Sequence, residues 1–151
     1  MPSTRPYARS DRAACLSIFD GNVPAFFDPE ERAGYERFLD ERADGCGYLV
    51  IVRNGKLVGC GGVIVEADGC TASLCWGMID NQSHRSGLGR LLTKVRLEAA
   101  KQQSGVTQVV LNTSQHTVNF YRRFGFQTIV IVRNGYGPGL DRYDMTLTIA
   151  K

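Results

Sequence analysis

Apolar and polar positions along the chain switch between a period of two and a period near 3.6, which predicts a mixed α/β domain. β-like runs predict strands at residues 4–8, 48–53, 57–66, 73–79, 107–111, 127–132 and 140–149. Amphipathic stripes with start signals predict helices that begin near Ser10, Asp28, Gly89 and Ser114. The strongest local signals are Asp28-Pro29-Glu30-Glu31 as a helix start and Asn54-Gly55 as a hairpin turn.

Gly77 interrupts the strand predicted over residues 73–79. Glycine weakens a strand interior, and it often marks a bulge or a close approach by another backbone or by a ligand. The alternative is tight packing against an aromatic side chain such as Trp76. We favour the bulge.

A basic, glycine-containing loop connects this strand to the helix predicted over residues 89–103. Gly87 and Gly89 allow phosphate oxygens to approach the backbone, and Arg85 and Arg90 add positive charge on either side. The start of a helix also offers unpaired N–H groups and the positive end of the helix dipole. A pyrophosphate would fit this loop, although the loop alone is equally compatible with an ordinary connection that contains two turn glycines.

Two familiar phosphate loops do not match this segment. A dinucleotide loop requires a third glycine where Leu92 stands. A Walker loop requires Gly-Lys-Ser/Thr, whereas this helix begins Gly89-Arg90-Leu91. A phosphate-loop nucleotide binder is therefore a disfavoured alternative.

Length and composition are those of an ordinary globular domain, and we predict a single domain over residues 1–151. The net charge of +3 is too small to argue for nucleic-acid binding, and no apolar run is long enough to cross a membrane. The N-terminus lacks the core of a signal peptide. Five cysteines, an odd number without C-x-x-C spacing, predict a reduced cytoplasmic protein, and we predict no metal site.

Two motifs resemble those of the GNAT N-acetyltransferase superfamily. His84-Arg85-Ser86-Gly87-Leu88-Gly89 is similar to its acetyl-CoA loop, Gln/Arg-x-x-Gly-x-Gly/Ala, except that His84 replaces Gln or Arg. The segment from Phe120 to Phe126, FYRRFGF, matches a Phe-Tyr-x-x-x-Gly-Phe pattern. A first strand with Arg-Pro that leads to Asp11 and a helix also resembles the opening of many GNAT domains. Together these segments span nearly the whole chain.

The resemblance implies a GNAT fold, with a central, mostly antiparallel mixed sheet of six to seven strands flanked by about four helices. It implies an N-acetyltransferase that moves an acetyl group directly from acetyl-CoA to a primary amine. A small-molecule or peptide amine is the expected acceptor, and the expected assembly is a monomer or a homodimer. The alternative from another class is a non-catalytic acyl-CoA-binding or regulatory domain, against which the presence of Tyr121 argues.

The resemblance also assigns cofactor contacts. A backbone N–H of Met78 or Ile79 is expected to face the thioester carbonyl, and Arg123 is expected to lie near the 3′-phosphate of coenzyme A. The remaining expected contacts are His84, Arg85, Ser86, Gly87, Leu88, Gly89, Arg90, Ser114 and Phe120.

Tyr121 is the candidate general acid, because its position in similar enzymes faces the thioester sulfur and a tyrosine O–H is a donor at neutral pH. Glu66, at the end of a strand, is the candidate base, and a solvated strand-end residue is the alternative for it. His116 is a further candidate base. Phe27 is the candidate substrate contact. Cys75 is not favoured as a nucleophile, since it lacks an evident histidine partner.

Overall fold

A computed structural model describes residues 1–149, which form one seven-stranded sheet and four α-helices. The strands are β1 (Ser3–Pro6), β2 (Leu49–Arg53), β3 (Lys56–Val65), β4 (Thr71–Ile79), β5 (Gln108–Thr113), β6 (Gln127–Gly137) and β7 (Leu140–Thr148). The helices are α1 (Arg12–Gly21), α2 (Arg32–Glu41), α3 (Leu88–Lys101) and α4 (Val118–Arg122). None of the helices within residues 1–149 is long and apolar enough to span a membrane.

The sheet has the order β1-β2-β3-β4-β5-β7-β6. Among the described strands, β4 and β5 form the one parallel pair, and every other neighbouring pair is antiparallel. The prediction of a mostly antiparallel mixed sheet with six to seven strands and about four helices is therefore confirmed.

The two faces of the sheet are covered by different helices. Val50 of β2 packs into a core cluster with α1 and α2, whereas the next residue, Ile51, packs with Leu88 and Leu92 of α3. Because successive side chains of a strand point to opposite faces, α1 and α2 lie on one face and α3 lies on the other. A further cluster joins α3 to β4, β5, α4 and β7.

The start of α2 and the β2–β3 turn follow their sequence signals. Asp28 Oδ2 accepts a hydrogen bond from Glu30 N at 3.0 Å, and Glu31 Oε2 accepts one from Asp28 N at 2.9 Å. This reciprocal pair is the capping box that the sequence predicts, although the first turn is a 3₁₀ helix over Pro29–Glu31. Asn54 and Gly55 both have positive φ, 54° and 76°, as a tight hairpin turn requires.

Ser10, near which the sequence predicts the first helix to begin, does not cap that helix. Arg9–Asp11 form a 3₁₀ turn, and α1 begins at Arg12. The buried carboxylate of Asp11 takes the capping role instead, because it accepts a hydrogen bond from Ala8 N at 2.9 Å. It also accepts two from Arg5 at 2.8 and 2.9 Å.

Two other predicted boundaries are also wrong. Helix α4 begins at Val118 rather than at Ser114, because Ser114 Oγ accepts a hydrogen bond from His116 N at 3.2 Å and holds a local turn. Strand β6 extends to Gly137, beyond the end predicted at residue 132, and Asn134 N donates to Asp141 Oδ1 at 2.9 Å across the hairpin. A side-chain bond of this kind has no signature in hydrophobic periodicity.

Strand β4 carries the predicted bulge. Cys60 pairs with Met78 and Gly62 pairs with Cys75, so one residue of β3 lies opposite two of β4, Trp76 and Gly77. Trp76 has a φ of 43°. The bulge at Gly77 is therefore confirmed.

Strands β4 and β5 are paired over only part of their length. Their register extends from Thr71, opposite Gln108, to Ser73, opposite Val110. Both strands continue past this point, but within the described residues they form no further pairs with each other. The sheet is thus open between the second halves of β4 and β5, next to the bulge.

Candidate active site

A cavity of about 900 Å³ lies at the opening between β4 and β5. It is lined by residues 73–79 of β4 and residues 111–113 of β5, by the 83–90 loop and helix start, and by parts of α3 and α4. The loop between α1 and α2 and the β6–β7 hairpin also contribute, through Phe26, Phe27, Glu31 and Tyr136. The cavity therefore touches almost every segment for which the sequence predicts chemistry.

The start of α3 forms one end of this cavity. Gly87, the residue before the helix, has a φ of 85°, which strains most other residues, and it faces open space. Leu91 N donates to Gly87 O at 3.1 Å, so the helix pattern leaves the amides of residues 88–90 without helical acceptors. Backbone donors and the positive helix end together suit a pyrophosphate.

The structure brings most of the predicted loop residues to the cavity. Arg85, Gly87, Gly89 and Arg90 line it, as does His84. The side chain of Ser86 instead donates to Ser83 O. Leu88 is 2% exposed and packs into the core, so neither of these two side chains lines the cavity.

Gly89 is held close to α4. A Cβ at Gly89 would lie 3.5 Å from Phe120 Cζ, which is an ordinary van der Waals contact. Phe120 also lines the cavity, and Ser114 lines it from the end of β5. The glycine loop and the FYRRFGF segment therefore meet at one place.

His84, which departs from the family pattern, holds the end of β4. Its Nε2 lies 3.1 Å from Ile79 O, and its ring packs edge-on against Phe26 with 5.1 Å between centroids. Asn22 Nδ2 donates to the same carbonyl at 2.9 Å. These contacts fix the strand end beside the loop.

The amides of Met78 and Ile79 point in opposite directions. Asp80 N donates to Val58 O of β3 at 2.8 Å. Because backbone N–H groups alternate along a strand, the Met78 amide also points toward β3 and the Ile79 amide points away from it. Of the two predicted donors, Ile79 is the one that the strand geometry leaves available to the opening.

A smaller basic cavity of about 380 Å³ adjoins the first. Its lining contains three cations, on Arg90, Lys94 and Arg123, and two aromatic rings, of Phe120 and Phe124. Arg90, Phe120 and Arg123 line both cavities. This arrangement suits a second phosphate group at the outer end of a ligand whose pyrophosphate is at the helix start.

Tyr121 lies on α4 and lines the main cavity. Its ring packs edge-on against Phe120 at 5.1 Å and against Phe126 at 5.9 Å. Its hydroxyl oxygen lies 3.5 Å from Nη2 of Arg96, a buried side chain on α3. Sequence reasoning did not single out Arg96, because an arginine within an amphipathic helix reads as a surface residue.

Glu66 does not line the cavity. It lies exposed just after β3, where its Oε1 accepts a 2.6 Å hydrogen bond from Ser73 Oγ. The structure therefore separates Glu66 from the other predicted site residues and gives it a strand-end contact.

Glu31 is a carboxylate that the sequence reasoning missed, and it does line the cavity. Burial raises the pKa of Glu31, although the hydrogen bond from Asp28 N opposes this. Tyr136 also lines the cavity. Burial is the main cause that raises the pKa of Tyr136, and the nearby charge of Glu31 raises it further. In the sequence, Glu31 is recognisable only as the last residue of a capping box, so no feature identifies it as a candidate catalytic residue.

Aromatic rings form another part of the cavity wall. Phe27, the predicted substrate contact, lines it and stacks on Trp76 with 6.3 Å between centroids. Phe26 packs edge-on against His116 at 5.9 Å, which places His116 at the same margin. Cys75 is also in the lining, and burial raises the pKa of its thiol to about 12, so it is a thiol rather than a thiolate at neutral pH.

A family model described as an acetyltransferase (GNAT) domain matches residues 25–149. No curated protein sequence matches the chain significantly.

Several solved structures superimpose on nearly the whole chain. Ard1 from Thermoplasma volcanium has 18% identity and a TM-score of 0.81, with 99% of each chain covered. The ribosomal-protein-S18-alanine N-acetyltransferase from Escherichia coli has 22% identity and a TM-score of 0.80, covering 100% of this chain and 96% of that one. An aminoglycoside 6′-N-acetyltransferase complexed with coenzyme A has 15% identity and a TM-score of 0.77, covering 99% and 98%. At these identities the likeness establishes the fold alone, and it confirms the fold that the sequence predicts.

Proposed function

Because the chain belongs to the GNAT acetyltransferase family, we propose that it transfers an acetyl group from acetyl-CoA to the primary amine of a small molecule or a peptide. The observation that carries this proposal is the single cavity that joins the amides at the start of α3 to the opening between β4 and β5. One end of the cavity suits a pyrophosphate, and the other end holds groups able to donate and to accept protons.

The residues present fit coenzyme A. The amides at the start of α3, with Arg85 and Arg90, would hold the pyrophosphate. The basic cavity around Lys94 and Arg123 would hold the 3′-phosphate. The structural neighbour complexed with coenzyme A supports this choice of cofactor.

Acetyl-CoA would supply the acetyl group as a thioester. The Ile79 amide would donate a hydrogen bond to the acyl oxygen as negative charge develops on it. Tyr121, which lines the cavity, would give its hydroxyl proton to the sulfur as the carbon–sulfur bond breaks and the carbon–nitrogen bond forms.

Glu31 is our candidate for the base that takes a proton from the attacking amine. It is the carboxylate that lines the acceptor side of the cavity, beside Tyr136 and the aromatic wall. Its raised pKa favours proton uptake, whereas Glu66 is not among the residues that line the cavity. Phe27 and Trp76 would contact the carbon skeleton of the acceptor.

Two measurements test the proposal. Titration calorimetry should show binding of acetyl-CoA, and a panel of small amines and peptides with free amines should yield acetylated products by mass spectrometry. Binding of acetyl-CoA without transfer to any acceptor would favour the alternative of a non-catalytic acyl-CoA-binding domain. An absence of binding would contradict the cofactor assignment itself.

A further inference from the structure

Arg96 is a buried cation on α3 that lines the cavity with only 2% of its surface exposed. Within residues 1–149, no carboxylate forms an ion pair with it. Its Nε has no hydrogen-bond partner there, and its one side-chain contact of this kind is the 3.5 Å approach of Nη2 to Tyr121 Oη. A buried charge without a counter-ion is unfavourable for folding, so its presence at this cavity calls for a functional reason.

The bulge of β4 provides the space for this guanidinium group. A Cβ on Gly77 would lie 2.7 Å from Nη2 and 2.8 Å from Nη1 of Arg96. The cation therefore lies directly against the bulged backbone, where β4 separates from β5 and where the reacting acyl group would be. Residue 77 can only be glycine while Arg96 keeps this position.

An arginine side chain has hydrogen-bond donors and no acceptor. Where Arg96 donates to the oxygen of Tyr121, the tyrosine's own proton must point elsewhere, and the cavity is the free direction. The contact is long, and hydrogen bonds at catalytic groups commonly tighten when the substrate binds.

We infer that Arg96 is a positioning residue that directs the Tyr121 O–H into the cavity and stabilises the phenolate left after the proton has gone. The inference rests on the proposed acetyl transfer. In that step Tyr121 loses one proton to the thiolate, and the resulting phenolate is next to the Arg96 cation until water returns a proton. The guanidinium takes no part in bond making and loses no proton.

The test compares Arg96→Met, Arg96→Lys and the matched control Arg122→Met, which removes an exposed arginine of α4 that bonds Asn119. Arg96→Met should lower the single-turnover transfer rate by about 10- to 100-fold, the contribution of a hydrogen bond from a charged donor. Arg96→Lys should restore part of this loss, because it keeps a positive donor. The Kd for acetyl-CoA should be the same in all three variants as in the wild type. The transfer rate of the Arg122→Met control should also equal that of the wild type.

A double-mutant cycle tests whether Arg96 acts through Tyr121. In a Tyr121→Phe background, Arg96→Met should lower the rate no further, since there is no hydroxyl left to position. Additive losses would overturn the inference.

Two readouts do not require turnover. With isotope-labelled tyrosine in the ligand-free protein, the NMR signal of Tyr121 Cζ should move in Arg96→Met but not in Arg122→Met. Arg96→Met should also melt at the same temperature as the wild type or at a higher one, because it removes a buried unpaired charge. A lower melting temperature with an unchanged Tyr121 signal would show that Arg96 is structural. Absence of transfer by the wild type would instead contradict the proposed function, and the NMR result would still stand on its own.

Discussion

Ser73 Oγ and Glu66 Oε1 are joined by a 2.6 Å hydrogen bond across the ends of β4 and β3. This contact satisfies the exposed Glu66 carboxylate at a strand end, and of the two residues Ser73 lines the cavity and Glu66 does not. Glu31 instead faces the cavity from the capping box of α2. We therefore expect opposite effects on the transfer rate when each carboxylate is replaced by the isosteric amide.

Glu31→Gln should lower kcat by about 10²- to 10⁴-fold, the usual range for a lost general base, and Glu66→Gln should leave it nearly unchanged. Because burial raises the pKa of Glu31, the wild-type rate should rise with pH through a midpoint above the usual glutamate range, and Glu31→Gln should lose this limb. Rate profiles against pH measure both effects. A large loss in Glu66→Gln alone would return the role of base to Glu66.

The same shift predicts how stability depends on pH. The pKa of Glu31 is higher in the folded state than in the unfolded chain, so its contribution to stability is complete below the unfolded value. This contribution is lost as the pH rises through the folded value. Relative to wild type, Glu31→Gln should therefore be more stable at about pH 7 than at about pH 4, as measured by denaturant unfolding. This control also shows whether a loss of rate comes from unfolding.

Gly89→Asp should weaken coenzyme A binding. It places a negative charge at the helix start, where the pyrophosphate is expected, while its Cβ makes only an ordinary 3.5 Å contact with Phe120. Gly45→Asp is the matched control, since it adds the same charge at an exposed turn where a Cβ meets nothing within 4 Å. Calorimetric titration should show a higher Kd in the first variant only. An unchanged Kd in a folded Gly89→Asp protein would rule out this site.

Arg123→Ala should weaken the binding of coenzyme A more than that of dephospho-CoA. Arg123 lines the basic cavity together with Arg90 and Lys94, and a charge-assisted hydrogen bond contributes about 1.5–3 kcal/mol. Arg122→Ala, which changes the exposed neighbour bonded to Asn119, is the control. Equal weakening for both ligands would show that Arg123 does not contact the 3′-phosphate.

The sequence predicts the fold and the residues at the helix-start end of the cavity better than the residues around Glu31 and Tyr136. The bulge at Gly77 and the capping box at Asp28 depend on neighbouring residues along the chain, so local patterns reveal them. Glu31 and Tyr136 meet only because the turn that precedes α2 lies near the β6–β7 hairpin. Such contacts between distant segments leave no spacing signature, and the same is true of the burial of Arg96 against Gly77.

Gly77→Ala should destabilise the protein by about 1–3 kcal/mol, because the new methyl group would overlap the Arg96 guanidinium. In an Arg96→Ala background the guanidinium is gone, so Gly77→Ala should cost much less. Denaturant unfolding of the four proteins in this cycle measures the coupling. Equal costs in both backgrounds would show that the glycine is required by the backbone of the bulge and not by Arg96.

Tyr121→Phe should lower the single-turnover rate of acetyl transfer by about 10²- to 10⁴-fold while coenzyme A affinity changes little. The substitution keeps the ring contacts with Phe120 and Phe126 and removes only the hydroxyl that lies beside Arg96. A single-turnover measurement is needed because slow product release would hide a change in the chemical step. A wild-type rate in the variant would show that water or another group protonates the thiolate. A loss of stability without a specific loss of rate would make Tyr121 a packing residue of α4.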